Sequence, residues 1–122
     1  MGNVLLVEDD IMNQRVASFF LSRLGLGVTV ARGGAEALTL IQQKRFNIIL
    51  MDIQMPGMDG VETTERIRAL DDPYYKRIPI LAFTSTAGVT VKEQAQAVGM
   101  NDFLSKPLNA EEMAFKINQY IV

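Results

Sequence analysis

Cysteine and histidine are both absent from this sequence. Without cysteine there is no disulfide framework, no thiolate metal site and no cysteine nucleophile. Without histidine the commonest general base and the commonest metal ligand are missing as well. An excess of positive charge is also lacking: the formal net charge is −2, which offers no basic footprint for direct binding of nucleic acid. No apolar run approaches the roughly 20 residues of a membrane-spanning helix, and the N-terminus has no signal-peptide pattern. The expected compartment is the cytoplasm, with no membrane contact by this part of the chain. Any chemistry falls to carboxylates, hydroxyls and lysine.

What is present is the composition of an ordinary globular protein, 48% hydrophobic over 122 residues. That length fits one domain, and a chain of this size buries roughly two-thirds of its unfolded surface, enough for a core without covalent staples. Residues 1–122 are therefore expected to form a single domain. Met1-Gly2 reads as an added start, which points to a domain cut from a longer protein.

Two kinds of segment alternate along the chain. Short apolar runs at Val4–Val7, Val28–Ala31, Ile48–Met51, Ile80–Phe83 and Phe103–Leu104 have strand length, and most are rich in β-branched or aromatic residues. The first, third and fourth are apolar on consecutive residues, as in parallel strands covered on both faces. Helix-like stretches separate them. Met12, Val16, Phe20 and Leu24 recur every four residues until Gly25 stops the pattern. A second helix is expected over Ala35–Lys44 and a third over Val61–Leu70 with Asp59 as N-cap. A fourth is expected over Val89–Val98, ending at Gly99, and a fifth after an Asn109 N-cap. Strand–helix units repeated in this way predict an α/β fold, a doubly wound (βα)5 domain with a five-stranded parallel sheet. The segment "DDPYYKR", Asp71–Arg77, is longer and more aromatic than that topology needs, and a partner contact is one reading of it.

In an open α/β sheet, ligands bind outside the carboxyl ends of the strands. The residues that follow the apolar runs are Glu8-Asp9-Asp10, Asp52, Thr84-Ser85-Thr86 and Ser105-Lys106-Pro107; only the second run, ending in Ala31-Arg32, breaks the pattern. Two carboxylates about 4 Å apart repel by about 4 kcal/mol at an effective dielectric of roughly 20. Either one of them takes a proton or a cation enters. With only oxygen ligands on offer, a hard cation such as Mg2+ is favoured. Lys106 adds a second positive charge, and the set is suited to neutralising a phosphoryl group. An aspartate can attack phosphorus to give an acyl phosphate, and phosphoryl transfer needs chiefly positioning and charge neutralisation. Asp52, alone at its strand end, is the candidate nucleophile.

The motifs "LLVEDDIMNQR", "MDIQMPGMDG", "ILAFTS" and "DFLSKPL" occur in that order and in register over essentially the whole length. With them the chain resembles the receiver domain of two-component response regulators, and most of all the receivers of hybrid sensor histidine kinases, which often feed a phosphorelay. The resemblance implies the strand order 2-1-3-4-5 of the chemotaxis-regulator, flavodoxin-like fold. It implies that Asp52 is the phosphoacceptor, that Glu8 and Asp9 with Asp52 position Mg2+ (or Mn2+ as a substitute), and that Gln54 offers its backbone carbonyl to the metal. Thr84 matches the hydroxyl that turns toward the phosphoryl group, and Lys106 the lysine that pairs with it, with a cis peptide expected before Pro107. Phe103 matches the aromatic switch position, here without the hydroxyl of the tyrosine often found there. Phosphorylation would then shift the surface formed by the fourth helix, fifth strand and fifth helix. Gln54 and Thr86 occupy positions that influence dephosphorylation. The implied partners are a histidine kinase and a histidine phosphotransfer domain; a stand-alone regulator acting by protein contact is the rival context.

Plainer readings stand beside these. Asp10 is most simply an N-cap or a solvent-exposed acid, Lys106-Pro107 a surface turn, Phe103 plain core, and Gly57 and Gly60 devices of backbone geometry. "GLG" at Gly25–Gly27 lacks the third glycine of a dinucleotide fingerprint. Two rival functions also remain at this point. One is a Mg2+-dependent phosphohydrolase with an aspartate nucleophile, against which Gln54 stands where many such enzymes carry a second aspartate. The other is a receiver-like binding module that is never phosphorylated, against which every pocket position is filled.

Overall fold

Alternate residues of a strand point to opposite faces, so an unbroken apolar run is stable only where both faces are covered. The computed structural model, which describes residues 2–85 and 88–121, has that arrangement. Strands β1 (Asn3–Val7), β2 (Gly27–Ala31), β3 (Ile48–Asp52), β4 (Ile80–Thr84) and β5 (Asp102–Ser105) form one parallel sheet in the order β2-β1-β3-β4-β5. Helices α1 (Ile11–Arg23) and α6 (Ala110–Tyr120) pack on one face, bringing Ala17, Leu21, Met113 and Ile117 against Val4, Leu6, Ile48, Leu50, Leu81 and Phe83. Helices α2 (Gly34–Gln43), α3 (Gly60–Arg68) and α5 (Val89–Ala97) pack on the other, bringing Ala37, Ile41, Ile67 and Ala95 against Leu5, Val7, Ile49, Met51, Ile80 and Ala82. Every residue of β3 and β4 is buried. A fully buried Leu or Ile stabilises by roughly 1.5–3 kcal/mol, so these two layers supply the main force that closes the sheet.

The helix ends follow local chemistry. Asp10, Asp59 and Asn109 each accept a hydrogen bond from the backbone N–H three residues on, at 3.0, 2.8 and 2.9 Å, and so cap α1, α3 and α6. Gly25 and Gly99, at φ 81° and 104°, close α1 and α5 in the left-handed region that glycine tolerates best. The boundaries differ slightly from the expectation. Helix α2 starts at Gly34 and ends at Gln43, and β5 runs Asp102–Ser105 because polar residues flank its two apolar ones at the sheet edge.

One element was not foreseen. A one-turn helix, α4 (Tyr74–Arg77), lies within Asp71–Arg77. Tyr74, Tyr75 and Lys76 bond back to the rest of the domain. The Tyr74 hydroxyl accepts the Phe46 N–H at 2.6 Å and donates to the Phe46 carbonyl at 2.9 Å. Lys76 donates to the Arg68 and Leu70 carbonyls at 2.9 and 2.8 Å, satisfying orphan acceptors at the end of α3. Arg68 donates to the Tyr75 carbonyl and, across the chain, to the Gly99 carbonyl and Asn101 Oδ1 at 2.9, 2.7 and 3.1 Å. Phe46 precedes β3 and Asn101 precedes β5, so this clamp sits at the amino edge of the sheet. Tyr74→Phe is expected to cost about 1–3 kcal/mol, because it strips both Phe46 backbone groups of their partner. Arg45→Ala, which removes a solvent-exposed ion pair to Asp72, is expected to leave the denaturation midpoint close to that of the parent. Urea denaturation of the two variants checks the contrast.

Candidate functional site

Glu8 follows β1, Asp52 ends β3, Thr84 ends β4 and Lys106 follows β5, so four strands deliver them to the carboxyl edge. Glu8 is fully buried, and Asp52 and Thr84 are each 3% exposed. Asp9 is exposed at the rim. One carboxylate oxygen each from Glu8, Asp9 and Asp52 lies within 4.8 Å of the others. Lys106 Nζ reaches Glu8 Oε1 at 3.0 Å and Asp52 Oδ2 at 3.3 Å. The Gln54 N–H donates to Asp52 Oδ1 at 3.2 Å. The turn after β3 is tight: a Cβ at Gly60 would come within 2.8 Å of the Ile53 Cα and closer still to the Asp52 carbonyl, so only glycine lets α3 begin there.

The charges do not balance. Three acids at these separations repel by about 3–4 kcal/mol per pair at an effective dielectric of roughly 20, and one ammonium faces all three. Burial pushes the Glu8 carboxyl above its ordinary range, and neighbouring Asp52 adds to the rise, while the Asp10 N–H and Lys106 oppose it. Desolvation, then the neighbouring Glu8 carboxylate, toward which a protonated Asp9 donates, raises Asp9 as well. Glu8 Oε1 meets Lys106 ionically but has no aligned hydrogen-bond donor among the described residues. An orphaned buried carboxylate oxygen beside two more acids, with oxygen donors only, fits a hard divalent cation.

A family model, the response regulator receiver domain, matches residues 4–118. The chain belongs to the receiver domain family. Such receivers serve phosphorelay signalling in hybrid histidine kinases and response regulators. The receiver is 40% identical over 110 residues to the sensor histidine kinase AruS of Pseudomonas aeruginosa, a match covering 90% of this chain and 11% of that protein. The receiver domain of sensor histidine kinase PA1611 from the same species, solved with a magnesium ion in its active-site cleft, is 36% identical with a TM-score of 0.90, over 98% of this chain and 97% of that one. The receiver domain of the Saccharomyces cerevisiae response regulator Ssk1, solved with the histidine phosphotransfer protein Ypd1, is represented by a complex whose matched chain is 29% identical with a TM-score of 0.86, over 98% of this chain and 88% of that one. Across several curated relatives this receiver spans between 6% and 27% of their length.

The expected residues fall into two groups. Glu8, Asp9, Asp52 and Lys106 converge at one point, with Gln54 beside them. Thr84 lies on the neighbouring strand, where its carbonyl accepts the Lys106 N–H at 3.1 Å. Phe103 is half-buried two residues back on β5, opposite Ala82, its ring against the α2–α3–α5 side of the core with Lys92 Nζ 5.6 Å from the ring centre. The Lys106–Pro107 peptide is cis, as the resemblance implied. Asp10 is the α1 cap. Thr86 lies outside the described residues.

Two contributors escaped sequence reasoning. Phe83, on the strand between Asp52 and Lys106, carries the Lys106 ammonium 4.9 Å from its ring centre, where the ring quadrupole attracts a cation. Gln14, in the first half of α1, donates to the Glu8 carbonyl at 2.7 Å. No sequence signal separates either from an ordinary strand aromatic or helix-surface amide.

Glu8 and Asp9 hold protons more tightly folded than unfolded. Their contribution therefore favours folding below their ordinary range and is lost as pH rises through the raised folded values. With divalent ions chelated, Glu8→Gln is expected to gain stability relative to the parent as pH is raised from 4 to 7, roughly the span of carboxylate titration. Thermal melts across that range read the slope of the difference, whatever its absolute level.

Proposed function

We propose that this receiver accepts a phosphoryl group from a phosphohistidine onto Asp52. The observation that carries the reading is the contact of one half-buried lysine with two strand-end carboxylates, Glu8 and Asp52, beside a third acid. An Asp52 oxygen attacks phosphorus, the bond from phosphorus to the donor imidazole nitrogen breaks, and the nitrogen leaves with the bonding pair. The Gln54 N–H on Oδ1 holds the carboxylate in one orientation. Lys106 is placed to neutralise charge on the incoming group. Glu8, Asp9 and Asp52, with the Gln54 backbone carbonyl, would hold Mg2+ (Mn2+ in its stead), which when bound shields the phosphoryl oxygens from the acids. Phosphorylation raises the local negative charge from about one to about two and adds acceptor oxygens, to which the Thr84 hydroxyl turns. In this reading the Phe103 ring follows, changing the α5–β5–α6 surface.

The donor's docking face is the exposed side of α1. Ile11, Met12, Val16 and Phe19 are 62, 66, 40 and 58% exposed and share one side of the helix. Arg23 lies over the Phe19 ring at 5.6 Å. A contiguous apolar patch of this kind marks a protein contact, and α1 starts at the rim of the acid cluster. A histidine phosphotransfer domain or a histidine kinase is the partner class, in keeping with the yeast complex and the kinase relatives. No helix among the described residues is long and apolar enough to cross a membrane, and we place this domain in the cytoplasm, within a hybrid kinase or a response regulator.

Incubation with Mg2+ and a small phosphodonor, followed by intact mass measurement, is expected to show a gain of one phosphoryl group that Asp52→Asn abolishes. Continuous turnover of a phosphate ester would instead make the protein a hydrolase, and no modification under any donor would make it a binding module. Phe19→Ala is expected to slow transfer from a phosphorylated phosphotransfer domain about tenfold, the loss typical of an interface aromatic, while the small-donor rate is unchanged.

A further inference from the structure

Glu8 is the first residue past β1, and no backbone N–H donates to its carbonyl among the described residues. The Gln14 side-chain amide turns back from α1 and donates to that oxygen at 2.7 Å. The same turn is held at other points. The Glu8 N–H donates to the Ala31 carbonyl, the Asp10 N–H to Glu8 Oε2, and the Asn13 N–H to Asp10 Oδ1, each at 3.0 Å. These three fix the start of the turn, the Glu8 side chain and the helix cap. Among the described residues, only the Gln14 contact holds the oxygen of the peptide plane between Glu8 and Asp9. That plane sets the direction in which Asp9 leaves the backbone. Asp9 is the most exposed of the three clustered acids, so its direction depends most on the backbone.

We infer that Gln14 is a positioning residue for the acid pair: it locks the Glu8–Asp9 peptide so that both carboxylates face one divalent cation before the cation arrives. The inference rests on the cation reading proposed above. Groups that orient metal ligands without touching the metal typically change affinity by about 10–100-fold. Because three other bonds stay in place, the low end of that range applies. The turn is only half-buried at Gln14, so water can replace the lost donor, leaving stability little changed while the orientation is released.

Gln14→Met keeps the length and helix propensity of the side chain and removes the donor. Calorimetric titration of Mg2+ into the metal-free protein is expected to show a dissociation constant raised about tenfold. The thermal midpoint in chelator stays within a few degrees of the parent, and the amide resonances of Asp9 and Asp10 shift or broaden before any metal is added. Gln42→Met, which removes a side-chain contact to the Leu38 carbonyl inside α2, serves as the control and leaves Mg2+ affinity unchanged. Should Gln14→Met lose its fold, Gln14→Leu, neutral and likewise without the donor, takes its place with the same expected loss. Parent and variant binding Mg2+ with equal affinity would overturn the inference and leave the cation reading standing. A parent with no saturable Mg2+ binding would overturn both.

Discussion

Lys106 reaches Glu8 across two intervening strands, and the shape of the carboxyl edge depends on that reach. β5 and β1 are separated by β4 and β3, roughly 14 Å over three strand spacings. The gap closes because both side chains extend inward over Asp52, the one carboxylate that stands between them. On its way the ammonium passes the Phe83 ring, so the strand between donor and acceptor supplies an apolar, weakly attractive surface for the lysine to cross. A shorter or more mobile cation at this position would leave Glu8, fully buried, without a counter-charge.

That contact is paid for by the rest of the molecule. Clustered acids oppose folding, and net stability of a domain is small, of order 5–15 kcal/mol. The apolar layers on the two faces of the sheet offset the repulsion, and for this reason the strands that carry Asp52 and Thr84 are buried from end to end. The acids are confined to the last residue of a strand or the first two beyond it. One position earlier, Glu8 and Asp52 would lie within the core, where Val7 and Met51 now pack, with no room for water or a cation.

The same confinement made much of the site legible in the sequence. Burial on both faces leaves unbroken apolar runs, and the first polar residue after each run marks where the strand ends. Asp10, Asp59 and Asn109 could be read as caps because a short acceptor side chain before a helical pattern has one common use. The strand order was not readable from periodicity, which specifies faces and not neighbours; it came from the resemblance. α4 stayed hidden because one turn carries no period and Asp72-Pro73 looks like a plain breaker. Phe83 and Gln14 stayed hidden because their roles exist only once the chain is folded, against Lys106 for the one and the carbonyl of Glu8 for the other.

The clamp around Arg68 gives β5 a fixed foot. Its guanidinium holds the Gly99 carbonyl and Asn101 Oδ1, and Asn101 Oδ1 also accepts the Ile80 N–H at 2.9 Å. The entrances of β4 and β5 are thereby riveted together at the end far from the acids. Phe103 stands two residues above that rivet, on a lever arm of roughly 7 Å. Asn101 thus ties the two strands before their ladder begins, so the edge strand enters the sheet already aligned with its neighbour.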